Sequence, residues 1–247
     1  MPSSLVIVRH GESTWNAKNL FTGWVDVNLS EKGEAEAKHA GKLLAASKLS
    51  FDIVHTSLLT RAVRTANIAL EESGQIWLPV SRSWRLNERH YGSLQGADKK
   101  QMTDQFGADQ VKLWRRSYDV PPPPVTKEHE HHPRHDVRYH RLAQDALPVG
   151  ECLKDVVARV LPYWFDTVVP QLRSGQTVLI VAHGNSLRAL IKHLERIPDA
   201  DISELNVPTG MPRLYSFNDD LSLAAKPKYL DEAAAAAGAA AVARQAG

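Results

Sequence analysis

Two nine-residue segments of this chain repeat each other. Leu5-Val6-Ile7-Val8-Arg9-His10-Gly11-Glu12-Ser13 and Val178-Leu179-Ile180-Val181-Ala182-His183-Gly184-Asn185-Ser186 each run a short apolar stretch, rich in β-branched residues, into His-Gly. Such uninterrupted runs suit strands covered by helices on both faces of a parallel sheet, where no position meets water. The segments between them agree. Ser30 is placed to cap a helix through about Ala46 with Ala37, Ala40, Gly41 and Leu44 on one face. Residues 51–56 read as the next strand, and a helix through Arg61, Arg64 and Ile68 follows, with Ser57 as its candidate cap. Residues 153–169 read as a helix interrupted or kinked at Pro162, and residues 186–195 as a helix after the second His-Gly. Strands alternating with helices predict an α/β fold, three layers deep, around a mostly parallel, doubly wound sheet.

At 247 residues, 43% of them hydrophobic, the chain can build one large domain with a sizeable core. Residues 84–150 behave as an insertion over the site: 84–96 are dense in aromatic and charged side chains, Pro121 to Pro124 break the chain, and a polar stretch continues to about Leu147. Five of the eleven histidines, His129, His131, His132, His135 and His140, fall in this stretch. The pattern His-Glu-x-x-His fails because Pro133 stands four residues after His129, so the reading is a solvated loop and no metal site. The alanine-rich end, within about 231–247, has high helix propensity and little to bury, and is expected to be mobile. Thirty Lys and Arg against 28 Asp and Glu leave +2, too little surplus for a nucleic-acid or membrane-surface binder; any bound anion is small. A single cysteine, Cys152, forbids an intramolecular disulfide and fits a reducing compartment. The opening Met1-Pro2-Ser3-Ser4 lacks a basic leader and no 18-residue apolar stretch occurs, so the expected location is cytoplasmic.

In a doubly wound sheet, ligands sit beyond the carboxyl ends of the strands, where helix N-termini present free amides. Both His-Gly pairs belong there. A glycine after each histidine lets the backbone turn and approach a ligand, while Arg9 and Arg61 bring guanidinium forks suited to phosphate. Two imidazoles beside arginines, with no serine or cysteine elbow and no glycine-rich nucleotide loop, point to phosphoryl transfer through phosphohistidine. Neighbouring cations should keep the nucleophile unprotonated near neutral pH. The plainer alternative is that each histidine merely satisfies a strand end, and the symmetry of the repeats does not say which ring is the nucleophile.

Longer motifs add a resemblance. Arg9 to Asn16, Phe21-Thr22-Gly23-Trp24, Trp84 to Gly92, Trp114-Arg115-Arg116-Ser117-Tyr118 with the proline run, and Ala182 to Arg188 together resemble the cofactor-dependent phosphoglycerate mutases of the histidine phosphatase superfamily. The match spans nearly the whole chain. It implies metal-independent interconversion of 3-phosphoglycerate and 2-phosphoglycerate, primed by 2,3-bisphosphoglycerate. His10 would carry the phosphoryl group, and Glu88 would be the general acid and base. Arg9, Arg61 and His183 would surround the transferred group, with Ser13, Asn16, Thr22, Gly23, Gly184 and Asn185 as neighbours. Arg89, His90, Tyr91, Lys99, Arg115 and Arg116 would hold the rest of the substrate. From residue type alone, a salt bridge from Glu88 to Arg85 or Arg89 is the competing role, and solvated surface charge that of Arg115 and Arg116. Around Lys99 the sequence departs from its relatives, making Lys100 a second candidate. The resemblance also implies a homodimer or homotetramer. Two rival functions share these residues: a phosphatase of the same superfamily, and a binding module for phospholigands without turnover.

Overall fold

The computed structural model describes residues 3–244; residues 1–2 of the opening segment and residues 245–247 of the expected tail lie outside the described residues. In chain order the elements are β1 (Ser3–Arg9), a single-turn α1 (Thr14–Ala17), α2 (Glu31–Ser47), β2 (Ile53–Thr56), α3 (Thr60–Glu72), β3 (Val80–Arg82), α4 (Lys99–Phe106), α5 (Ala108–Arg116), α6 (Leu153–Tyr163), α7 (Val169–Arg173), β4 (Thr177–Ala182), α8 (Gly184–Leu194), β5 (Arg213–Phe217), β6 (Lys228–Tyr229) and α9 (Glu232–Arg244). The strands form one sheet in the order β3-β2-β4-β1-β5-β6. The first four are mutually parallel, whereas β5 and β6 pair antiparallel at one side. This is the mostly parallel α/β sheet that the sequence predicts. β3, β5 and β6 add to that prediction, since none of them is an uninterrupted apolar run.

Alternation along the two central strands divides the core into two faces. Leu5, Ile7, Val178, Ile180 and Ala182 pack with Val156 and Val160 of α6 and Leu187 and Leu190 of α8. Val6, Val8, Leu179 and Val181 pack with Ala40 and Leu44 of α2 and Ala66, Ala69 and Leu70 of α3. All are at most 1% exposed. Burying one such valine, leucine or isoleucine contributes about 1.5–3 kcal/mol, so helices on both faces replace any need for a polar side.

Ser30 caps α2 through the Gly33 amide (3.1 Å), and the expected face of Ala37, Ala40, Gly41 and Leu44 is buried. The cap expected from Ser57 is not formed. α3 begins only at Thr60, whose amide is taken by Asp26 Oδ1 at 2.7 Å, because Ser57 lies too far upstream to reach the first helical turn. Pro162 falls inside α6 near its end, and the helix then widens into a π turn over Trp164–Val168 before α7, an interruption beside the missing amide.

Residues 84–150 hold mainly short elements. α4 buries no residue and α5 only Val111, which joins Phe21 and Leu94 in a small separate cluster. The histidine-rich stretch is not solvated throughout, a correction to the sequence reading. His132, Pro133 and Tyr139 turn inward through two 3-10 turns, and the Tyr139 ring lies 4.7 Å from that of Trp24. An apolar partner so distant in sequence leaves no local pattern. Among the described residues, no group of three or more His, Cys, Asp or Glu is arranged to hold a metal ion. The alanine-rich end forms α9, which buries Ala235. No helix among the described residues is long and apolar enough to cross a membrane.

Candidate active site

Strand register builds the centre. β1 and β4 pair residue by residue from Ser4↔Thr177 to Arg9↔Ala182, and the same offset brings His10 beside His183, ring centroids 4.8 Å apart. The chain leaves β1 toward α2 on one face of the sheet and leaves β4 directly into α8 on the other, so a crevice opens between the two strand ends.

The two rings are not equivalent. His10 Nδ1 lies 2.6 Å from the carbonyl oxygen of Gly11, which can only accept, so Nδ1 carries the proton and the Nε2 lone pair is left for the cleft that His10 lines. His183 Nε2 is engaged at 2.7 Å by Ser57 Oγ, the hydroxyl expected to cap α3. Burial, then the charges of Arg61 and Arg9, hold the His10 imidazolium pKa well below its ordinary 6.5. Burial, Arg61 and His10 do the same for His183. Both rings are neutral at pH 7. Gly11 serves packing more directly than ligand approach: a Cβ there would sit 2.1 Å from the Gly33 carbonyl oxygen, where the loop crosses the start of α2. Gly184 does open onto the site, with its would-be Cβ 3.5 Å from both the Arg9 guanidinium and Glu88 Oε2.

Arg61, 1% exposed, donates to the carbonyls of Gly23 (2.7 Å) and Val25 (3.0 Å). Arg9 donates to the Val207 carbonyl at 2.8 Å and keeps a buried Nε without a partner. Glu88 Oε1 accepts from the backbone amides of Arg89 (2.8 Å) and Asn185 (3.0 Å). The competing salt bridge is not made, because the Arg85 guanidinium turns to the Arg159 carbonyl and that of Arg89 to the Arg115 carbonyl.

Tyr91, Lys99, Arg115 and Arg116 also line the cleft. Burial, then Arg115 and Arg9, lower the Lys99 ammonium to about 7. Lys99 rather than Lys100 lines the cleft; Lys100 is exposed. Asn16, Thr22, Gly23, Gly184 and Asn185 complete the polar lining. Four expected residues lie outside the lining, His183 with its ring against that of His10 and three others. Ser13 caps α1 through the Asn16 amide (3.1 Å), Arg89 sits under the Tyr91 ring at 4.9 Å, and His90 accepts from the Gly92 amide at 3.0 Å. Arg188 lines the cleft but was not among the expected site residues. It donates to Asn185 Oδ1 (2.9 Å) and to the Ile202 carbonyl (2.6 Å). Its spacing three residues after Asn185 and four after Gly184 puts it on their helix face, a signal present in the sequence. Leu20, Phe21, Leu205, Val207 and Val242 form apolar parts of the wall, from loops and from α9, without such a signal.

Arg9, Arg61, Lys99, Arg115, Arg116 and Arg188 thus face one carboxylate, Glu88, across a cavity of about 100 Å³. Arg9 Nε, Arg188 Nε and Thr22 Oγ1 are buried donors with nothing to bind. An excess of cationic over anionic side chains in the lining of so small a space fits a compact, multiply charged anion.

Comparison with known proteins gives the same picture. The sequence profile of the histidine phosphatase superfamily (branch 1) matches residues 5–135 and 123–221. The chain is 59% identical over 220 residues to a 2,3-bisphosphoglycerate-dependent phosphoglycerate mutase of Thermobifida fusca (strain YX), covering 89% of each. It is 58% identical to the protein of the same name from Clavibacter sepedonicus over 99% of this chain and 97% of that one. Among solved structures it is similar to a phosphoglycerate mutase from Bacillus anthracis str. Sterne (TM-score 0.69, 23% identity, 96% of each chain). It is also similar to a mycobacterial glucosyl-3-phosphoglycerate phosphatase (TM-score 0.68, 25% identity, 92% of this chain and 96% of that one).

Proposed function

The chain belongs to the 2,3-bisphosphoglycerate-dependent phosphoglycerate mutases of the histidine phosphatase superfamily, and from that membership we propose that its cleft interconverts 3-phosphoglycerate and 2-phosphoglycerate through a phosphoryl group carried on His10. The observation that carries the assignment of the nucleophile is the inequality of the paired rings: His10 faces the cations with Nε2 unengaged, while Ser57 holds that atom of His183.

His10 Nε2 forms a bond to phosphorus as the bond from phosphorus to the substrate oxygen breaks. Glu88 gives its proton to the departing oxygen and recovers one when the hydroxyl of the returning substrate attacks. Arg9, Arg61 and His183 hold the oxygens of the moving phosphoryl group, the two guanidinium groups supplying the positive charge that such transfer requires. Asn16, Thr22, Gly23, Gly184 and Asn185 hydrogen-bond around it, and Ser13 holds Asn16 in place through α1. Tyr91, Lys99, Arg115 and Arg116, supported from behind by Arg89 and His90, take the far phosphate or carboxylate. When bound, 2,3-bisphosphoglycerate supplies the phosphoryl group that His10 carries. Guanidinium groups fill the electrostatic role, so this reading uses no metal ion.

One domain spanning 1–247, a lid over about 84–150 and the tail at 231–247, assembly into two or four copies, and a cytoplasmic location belong to the same reading. A phosphatase would use the same strand-end residues and deliver the group to water. High identity to mutases over nearly the whole chain favours the mutase. The test is incubation with 2,3-bisphosphoglycerate followed by intact mass measurement. The parent is expected to gain one phosphoryl group and His10→Ala none, with turnover lower by about 10⁶-fold, the scale for loss of a covalent nucleophile. A parent without the mass gain leaves only the binding-module reading.

A further inference from the structure

The main chain that presents Glu88 is gripped by a buried ion pair outside the cleft. Glu151 and Arg159 are 4% and 6% exposed and meet through two contacts, Arg159 Nε to Glu151 Oε1 at 2.6 Å and Arg159 Nη2 to Glu151 Oε2 at 3.1 Å. Their remaining hydrogen bonds converge on one short stretch of backbone. Arg159 Nη2 donates to the Glu88 carbonyl (2.9 Å) and Nη1 to the Arg85 carbonyl (2.7 Å). Glu151 Oε2 accepts from the His90 amide (2.7 Å), and the Glu151 amide donates to the His90 carbonyl (2.8 Å). Trp24 Nε1 adds a second donor to the Glu88 carbonyl at 2.6 Å, and the Arg159 guanidinium lies 5.8 Å from the Trp24 ring.

A buried ion pair is a weak source of stability, because desolvation offsets most of its Coulomb attraction and apolar replacements are often neutral or better. Its directionality is another matter. The pair fixes residues on both sides of Glu88, and amides from two separate elements take Glu88 Oε1. Oε2 is thereby left as the oxygen toward Arg9 and Gly184. We infer that Glu151 and Arg159 are positioning residues: by clamping the 85–90 backbone they keep Glu88 Oε2 within reach of the departing oxygen. This rests on Glu88 being the proton donor.

The test compares two phosphoryl donors. Phosphoglycerate leaves as an alkoxide and needs a proton, whereas p-nitrophenyl phosphate leaves as a stable phenolate and does not. Phosphoryl transfer to His10 from 2,3-bisphosphoglycerate and from p-nitrophenyl phosphate, and steady-state mutase turnover, are measured for the parent, Glu88→Gln, Glu151→Gln and Arg159→Met, with thermal unfolding of each. Glu88→Gln is expected to lose transfer from the sugar-acid phosphate and keep transfer from the aryl phosphate. Glu151→Gln and Arg159→Met are expected to show the same split. Their mutase kcat falls by on the order of 10²-fold with KM nearly unchanged, the cost of an ångström-scale misplacement. Equal losses on both donors, or no loss on either, would overturn the clamp. If Glu88→Gln itself shows no split, the proton-donor role fails first and the clamp with it. Glu151→Gln keeps the size and an acceptor for His90, so it carries the test if Arg159→Met does not fold.

Discussion

The two walls of the cleft are built differently. On the strand-end wall, His10 and Arg61 are at most 2% exposed, as is His183 packed against His10, set by the register of the two central strands and by bonds to main-chain carbonyls. On the wall from α4 and α5, Lys99, Arg115 and Arg116 are partly buried on two short helices that share only a small apolar cluster. On the proposed reading, the wall at which a bond is made and broken is held by the core of the sheet. The wall proposed to hold an anionic end stands on lightly anchored elements. Interactions that strengthen only in the transition state need the first kind of support, and uniform binding can use the second.

Kinetics can break or sharpen this contrast. Arg61→Met is expected to lower kcat by about 10²–10³-fold with little change in KM, as when one donor to developing charge is lost. Arg116→Met is expected to raise KM by about ten- to a hundredfold and leave kcat nearly intact, the worth of a charged hydrogen bond to bound anion. Matching effects on both parameters for the two variants would erase the distinction. Removing residues 231–247, whose Val242 lines the cleft, is expected to lower mutase turnover more than phosphatase side activity, since the site then admits water. A coupled assay in which both fall together would show that α9 does not shield the site.

The smallest expected effect is on pH dependence. With its ammonium lowered to about 7, Lys99 is charged below that pH and neutral above it in the free protein. kcat/KM should therefore fall as pH rises through about 7, and Lys99→Arg, whose cation persists, should flatten that limb. An unchanged limb in the variant would assign it to another group.

Much of the strand-end wall is legible in the sequence because its information is local: apolar runs, His-Gly, Arg9 just before the first histidine, and Arg61 at the start of a helix after a strand. The mostly parallel sheet follows from the same runs. Ser57 shows where locality ends. Its hydroxyl serves His183, just past the end of β4 and far along the chain, and Asp26 takes over the cap it was expected to provide. Tyr139 is similar, since the polar sequence around it gives no hint of the Trp24 ring it packs on. Arg188 was readable from helical spacing, but Leu205, Val207 and Val242 reach the cleft from segments with no periodic signal.

The residue-for-residue pairing of β1 with β4 makes the meeting of His10 and His183 sensitive to chain length rather than to the identity of the strands' side chains. Adding or deleting one residue within either strand would slide one imidazole past the other by about 3.3 Å and invert which face each side chain meets. Substitutions among aliphatic residues leave that alignment intact. Variation in these strands should therefore be found as exchanges and never as insertions.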